Sequence, residues 1–396
     1  MALNFLLGSL AVLSLLLTLW QWLVAHRFPL HQRLASPSFA PALTLLKPLK
    51  GADASTESCL RSWFSQDYPG LVQILFGVAS ADDPVCAIVR GLLQEFPARD
   101  AQLLICGPLL GANLKVSKLA QLERLAKHDL ILISDADVRV PPDFLANVVA
   151  PFEETSALFA TPVNAPVGGT LGLVTCFYRL ANPTTLAMQW EAVAVNADFW
   201  SQVLQAQSLR PIDFALGAVM LTRRSCLAQI GGFAALADCL ADDYQLGHRL
   251  VGRGFRIALC PVVVECWAEP MGWTTVWKHQ LRWARTIRVC QPLPYFFSIL
   301  SNPTLWPLLW LAAFPGKLQL AFALTSCAVR LLTAAHLHRR LQGASSSFSY
   351  SSSTWLPLLK DLLQAAIWLL AFLGNRVEWR GQKMRIRPDG TLVRPS

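Results

Sequence analysis

His128-Asp-Leu-Ile-Leu-Ile-Ser-Asp-Ala-Asp-Val-Arg-Val140 runs from a short apolar stretch straight into two carboxylates. Residues 130–133 are all apolar and bounded by polar positions, the pattern of a strand buried on both faces. Asp135 and Asp137 follow at once, and Pro141-Pro142 stops the strand. Open α/β sheets bind ligands at the carboxyl ends of their strands. Two carboxylates on one short turn can hold a divalent metal, and the metal can hold a diphosphate. An Asp-x-Asp is also common on surface turns, so its place after a buried strand and the later motifs carry the reading.

Composition narrows the class. The 396 residues are 54% hydrophobic and only 15% charged, against about 25% charged in an ordinary soluble domain. The missing charge points to membrane segments. A net charge of +9 then marks cytoplasmic flanks and an anionic lipid surface rather than nucleic acid, for which no motif is present. Ten cysteines without a Cys-x-x-Cys pair argue against a zinc ribbon or a disulfide scaffold, and suit a reducing compartment.

Residues 1–25 carry no charged side chain and are long enough for a membrane helix. A cleaved leader is disfavoured, because Trp20, Gln21 and Trp22 stand where small residues would be needed. His26, Arg27, Arg33, Lys47 and Lys50 follow, which places the next domain in the cytoplasm. Residues 42–270 alternate strand-like and helix-like segments, the signature of parallel βαβ units. Strands are expected at 43–46, 71–78, 103–106, 130–133, 158–160 and 218–221. Helices are expected at 56–65, where Ser55 is a candidate cap, and at 83–96 and 114–127. Residues 168–210 read as aromatic and helical. Residues 304–332 and 355–374 are apolar, interrupted by Lys317, Arg330 and Lys360-Asp361, and the tail is basic. The division is an N-terminal membrane helix at 1–25, a cytoplasmic domain at 42–290, C-terminal membrane helices at 303–374 and a basic cytoplasmic tail at 375–396. With two C-terminal spans, Arg339-Arg340 would fall on the wrong side; interfacial or re-entrant helices would remove that fault.

Two further clusters carry chemistry. In Leu240-Ala-Asp-Asp-Tyr-Gln-Leu-Gly247, Asp242 and Asp243 open a helical run. Acidic residues there serve as ordinary caps, or one serves as a general base toward an acceptor hydroxyl. In His279-Gln-Leu-Arg-Trp-Ala-Arg285, on a helix expected at 274–288, Arg282 and Trp283 either rest on a membrane surface or border a diphosphate leaving group. Arginine suits oxygens that gain negative charge as a bond breaks.

The order Asp-x-Asp, acidic pair before Tyr, then Arg-Trp on a helix, all between membrane segments, resembles the membrane glycosyltransferases of the ceramide glucosyltransferase family. Leu46-Lys-Pro-Leu-Lys-Gly51 with Asp53, Gly231-Gly232 and Asn375-Arg-Val-Glu-Trp-Arg-Gly381 are similar to that family's opening strand, mid-domain turn and tail. Asn196-Ala-Asp-Phe-Trp200 and Pro211-Ile-Asp-Phe-Ala-Leu-Gly217 look closest to its hopanoid-biosynthesis branch. The resemblance implies a Rossmann-like nucleotide-diphospho-sugar transferase domain of GT-A type, flanked by transmembrane or interfacial helices at the inner membrane. It implies an inverting enzyme that moves N-acetylglucosamine from a UDP-sugar to bacteriohopanetetrol, with ceramide and UDP-glucose as the alternative pair. Asp135 and Asp137 would face Mg²⁺ or Mn²⁺ and the diphosphate. Asp243 would be the base, beside Asp242. Arg282 and Trp283 would border the leaving group and the lipid, and Lys47 and Lys115 would line the donor pocket.

Two positions depart from the family pattern. Ser80 stands where a first carboxylate is expected, leaving Asp82 for the uridine contact, and the last motif begins with His279 or, one residue on, Gln280. A processive polysaccharide synthase would need more membrane helices. A non-enzymatic lipid-binding protein would not need Asp135 or Asp243. A dehydrogenase would need a Gly-x-Gly-x-x-Gly after the first strand, and there is none.

Overall fold

The computed structural model describes residues 1–34, 39–108, 110–153, 169–343, 354–379, 382–387 and 389–393. An eight-stranded sheet forms its centre. In chain order the strands are β1 (Leu43–Pro48), β2 (Val72–Val78), β3 (Asp100–Ile105), β4 (Leu130–Ser134), β5 (Val138–Arg139), β6 (Leu171–Leu180), β7 (Val219–Arg223) and β8 (Arg256–Cys266). Their spatial order is β3-β2-β1-β4-β7-β6-β8-β5.

β4 lies between β1, which it pairs in parallel, and β7, which it pairs antiparallel. All five of its residues are buried. The period of two explains why: Leu130 and Leu132 join Leu43, Leu45, Trp63 and Phe76 on one face, while Ile131 and Ile133 join Leu46, Leu75, Leu119 and Met220 on the other. Each such side chain contributes roughly 1.5–3 kcal/mol by leaving water, so neither face of β4 tolerates a polar residue before Ser134.

β1 to β4 are parallel, as the alternation of strands and helices implied. The second half is mixed, since β7 runs antiparallel to both β4 and β6. Residues 168–210, read as helical, begin with the ten-residue β6. All but one residue of β6 and the whole centre of β8, residues 258–264, are buried, so neither shows the alternation by which a half-exposed strand is recognised. The strand expected at 158–160 lies outside the described residues.

The helix Ala2–Arg27 and the helix Lys317–Gln342 are long and apolar enough to cross a membrane. Between them, Pro292–Ser301 and Leu305–Ala313 form a pair bent by 57°, which can count as a third crossing. Trp310 donates to Asn4 at 2.6 Å, near the start of the first helix. Arg340 donates to the Phe28 carbonyl at 2.8 Å, just past its end. Lys317–Gln342 therefore runs parallel to the first helix, and Arg339-Arg340 lie at the same end as Arg27. Counted as one crossing, the bent pair would be the return leg that brings Arg339-Arg340 to the side of Arg27.

The helix Leu356–Phe372 touches both parts: Leu356, Ile367 and Ala371 pack against Ala187, Trp190, Val276 and Ala284, while Asp361 accepts from Arg330 of Lys317–Gln342. Beyond it the basic tail is folded: β9 (Arg376–Trp379), β10 (Gln382–Ile386) and β11 (Leu392–Val393) make a small antiparallel sheet.

Candidate active site

The Asp135–Asp137 turn is braced from both sides of the sheet. β4 delivers Asp135, whose N–H donates to the Ala218 carbonyl at 3.3 Å. β5 begins one residue after Asp137 and pairs with the end of β8, and the Trp267 N–H donates to the Asp137 carbonyl at 3.0 Å. Lys47 supports the turn from beneath. Its ammonium donates to the Asp135 carbonyl at 2.5 Å and to Ser134 Oγ at 3.3 Å, and lies 4.9 Å from the Trp63 ring centre. Full burial pushes its pKa down to about 8. Lys47 is thus a prop under the turn, and Lys50 lines the cavity above it.

Lys115 is the hinge between the two acidic clusters. Asn113 caps the helix Leu114–Glu123, accepting from the Lys115 and Val116 N–H groups, and so fixes where Lys115 points. Lys115 Nζ lies 2.7 Å from Asp135 Oδ1 and 3.1 Å from Asp242 Oδ2. Burial alone would lower its pKa; Asp135 and Asp242 overcome this and hold the lysine fully charged.

Asp243 sits beside Asp242 in the first turn of the helix Asp242–Gly252 and accepts from the Tyr244 N–H at 2.8 Å. Its other oxygen rests on Gly217, where an added Cβ would come within 2.7 Å of it. Burial, reinforced by the negative Asp242, pushes its pKa up to about 6 against the pull of Lys115. The helix N-terminus favours the carboxylate, but the loss of water outweighs it. Asp137 behaves alike: it opens onto an interior cavity, and burial and Asp135 push it up to about 6. Carboxylates near 6 are poised to exchange a proton, or to take a cation, near neutral pH.

The helix Trp273–Cys290 forms the opposite wall with His279, Gln280, Arg282 and Trp283. His279 and Gln280 are both held by Glu191, a buried acid on Leu186–Val193, at 2.6 and 2.9 Å from its Oε1. The His279 ring lies 4.6 Å from that of Trp283 and fixes its tilt. Tyr244 donates to the Cys290 carbonyl at 3.0 Å and ties the acidic helix to this wall.

The tail clamps both. Leu392 N–H donates to the Asp238 carbonyl at 2.7 Å just ahead of the acidic pair, while Arg285 and Arg288 hold the Arg376 carbonyl and Asn375.

Asp135, Asp137, Lys115, Asp242, Asp243, His279, Gln280, Arg282 and Trp283 all line one cavity of about 1230 Å³. Asp82 does not. It is exposed, whereas its neighbour Asp83 accepts from the Gly51 N–H at 3.0 Å and shapes the cavity-lining loop after β1. Sequence reasoning missed Asp83, Glu191, Asn113 and the tail clamp. Glu191 left one signal, a lone acid in the apolar run Leu-Ala-Met-Gln-Trp-Glu-Ala-Val. Among the described residues no three His, Cys, Asp or Glu side chains gather into a ready metal cage.

The model of glycosyl transferase family 21 matches residues 6–392. The chain belongs to this family. It is 22% identical over 385 residues to ceramide glucosyltransferase 3 of Caenorhabditis elegans, covering 93% of this chain and 78% of that protein. It is 25% identical over 263 residues to an N-acetylglucosaminyltransferase of Bradyrhizobium diazoefficiens, covering 62% of this chain but 49% of that protein. A solved mannosyltransferase from Pyrobaculum calidifontis, in complex with GDP-mannose and Mn²⁺, shares the fold with a TM-score of 0.51. It is 20% identical, and the match covers 93% of this chain and 98% of that one. The family 21 chain is thus a glycosyltransferase with a mixed α/β nucleotide-sugar transferase fold and two apolar helices of membrane-crossing length.

Proposed function

We propose that this family 21 enzyme moves a sugar, most favourably N-acetylglucosamine, from a UDP-sugar to a hydroxyl of a membrane lipid, with bacteriohopanetetrol as the acceptor. One observation carries the reading: a single cavity joins Asp135, Asp137, Lys115 and Asp243 to the apolar helices, through Leu17, Trp20, Phe297 and Leu337. A donor diphosphate and a lipid tail can then occupy one continuous space. The similarity to a protein named N-acetylglucosaminyltransferase supports the sugar; the similarity to one named ceramide glucosyltransferase keeps ceramide as the rival acceptor.

In this reading residues 42–290 work at the cytoplasmic face of the inner membrane. Residues 1–25 and 303–374 tether them, and residues 375–396 remain on the same side. Arg27, Arg339 and Arg340 at one end of the helices agree with that orientation. Asp135 and Asp137 would hold Mg²⁺ or Mn²⁺. Two adjacent carboxylates, one already paired with Lys115, fit a cation whose other ligands are diphosphate oxygens and water. Such an ion, when bound, neutralises charge on the departing UDP. Lys115 adds a fixed positive charge beside it, and Arg282 faces the same space from the opposite wall. Asp243 takes the proton of the lipid hydroxyl, which attacks the anomeric carbon from the face opposite UDP. One displacement without a covalent enzyme intermediate inverts the configuration.

The test crosses UDP-N-acetylglucosamine and UDP-glucose with bacteriohopanetetrol and ceramide in liposomes, reading products by mass spectrometry. A hexosamine-bearing hopanoid is the expected product; glucosylceramide would replace the acceptor and keep the chemistry. Asp137→Ala is expected to weaken metal-dependent UDP binding about tenfold or more, measured by titrating Mn²⁺ at fixed UDP. Unchanged metal dependence would remove Asp137 from the metal site.

A further inference from the structure

Four charged side chains lie buried among the apolar helices, away from the acidic clusters described above. Arg330 sits midway along Lys317–Gln342 and is 4% exposed. Its Nη1 and Nη2 grip Asp198 at 2.9 Å each, and its Nε and Nη2 reach Asp361 at 2.9 and 2.8 Å. Lys360 completes the group, 2.6 Å from Asp198 Oδ2. Asp198 itself lies on the π-helical turn Ala194–Phe199, an irregularity that recurs at functional sites.

Holding helices together does not by itself account for this cluster. Ion pairs in apolar surroundings add little over well-packed apolar side chains, and an ionisable group within a helix of membrane-crossing length, as Arg330 is, marks a site by default. The four members differ in how fully they are used. Four of the five guanidinium N–H bonds of Arg330 are engaged, and Asp361 also accepts from Thr304 Oγ1 at 2.7 Å. Lys360 has one partner among the described residues, although it is 93% buried by its 7% exposure and has three N–H bonds. All four residues line the cavity that holds Asp243, and so does Gln364, one helical turn beyond Lys360.

We propose that Lys360 and Asp198 form a recognition site for the hydroxyl-bearing head of the lipid acceptor, Lys360 donating to one hydroxyl oxygen and Asp198 accepting from a neighbouring hydroxyl. This rests on the lipid-acceptor reading and deepens it. Arg330 and Asp361 are the frame that holds the two in place. The cluster is neutral overall, with two acids and two bases, so it suits a neutral polyol rather than a phosphate-bearing head. A donor and an acceptor side by side match a vicinal diol, which offers both. An acceptor with one hydroxyl, committed to Asp243, would gain nothing from this site.

The experiment measures lipid binding directly, by quenching of the protein's tryptophan fluorescence in detergent by spin-labelled lipids. Bacteriohopanetetrol is compared with the same hydrocarbon bearing one hydroxyl. Lys360→Met is expected to weaken tetrol binding about tenfold and leave the single-hydroxyl lipid unchanged. Lys360→Met with Asp361→Asn, which keeps the cluster neutral, should behave alike and serves if the single variant does not fold. Equal tetrol affinity in wild type and variants would show that the cluster only fastens helices. Failure of wild type to prefer the tetrol, or a preference for a phosphate-headed lipid, would also overturn the proposal. Binding is read without transfer, so a tetrol that binds selectively but is not glycosylated would fault the proposed reaction and not the site.

Discussion

Asp243→Asn is expected to lower sugar transfer about a thousandfold while leaving UDP-sugar affinity nearly unchanged. The amide has the shape of the carboxylate. It can still accept from the Tyr244 N–H and still fits against Gly217. Lys115 keeps its contacts to Asp135 and Asp242, so the donor side of the cavity is undisturbed. What disappears is the ability to take a proton. The same reasoning fixes a pH dependence. Burial and Asp242 push Asp243 up to about 6, and a base works only when deprotonated. The turnover rate should therefore fall as pH drops through about 6 and level off above it. Protonation of Asp137, also pushed up to about 6, would appear instead as weaker metal binding, because a bound cation competes with the proton for that carboxylate. Measuring turnover at saturating metal and donor separates the two. Joint loss of donor binding and transfer in Asp243→Asn would refute a dedicated base.

Legibility in the sequence followed the physics of each element. β4 was readable because a short apolar run between polar residues has few alternatives. The acidic pair was readable because carboxylates at the start of a helix are both chemically and structurally distinctive. β6 and β8 are not, since a buried strand of ten or eleven residues, unlike the five of β4, is as long as a buried helix and has no alternation to tell them apart. Lys47 and Lys115 look equivalent along the chain. Only the fold separates them, placing one under the turn and the other between two acids. Asp82 and Asp83 are adjacent, and which of them reaches Gly51 depends on the twist of a loop that local pattern does not fix. Lys360-Asp361 reads as a flaw in a membrane helix because its partners are remote along the chain and neighbours only in space, Asp198 lying 162 positions before Lys360 and Arg330 lying 31 before Asp361.

Arg330→Met is expected to cost about 3–5 kcal/mol of stability, the usual result of removing one partner from a buried ion pair. The change leaves Asp198, Asp361 and Lys360 with a net charge of −1 in apolar surroundings. Lys360 can reach Asp198, but Asp361 loses both of its guanidinium bonds and keeps Thr304. The three elements that meet at Arg330 would then separate or admit water. In practice the variant should aggregate in detergent at temperatures where the wild type stays monodisperse, as light scattering on heating would record. The charge, not the side-chain volume, is the cause. Adding Asp198→Asn and Asp361→Leu together with Lys360→Met removes every charge, and this fully neutral variant should recover most of the lost stability. It should not recover binding of a polyol lipid, because the hydroxyl-facing lysine and carboxylate are gone. A neutral variant as unstable as Arg330→Met would show that the helices depend on the ion pairs themselves. Stability regained without polyol binding would divide the cluster into a frame that apolar packing can replace and a binding face that it cannot.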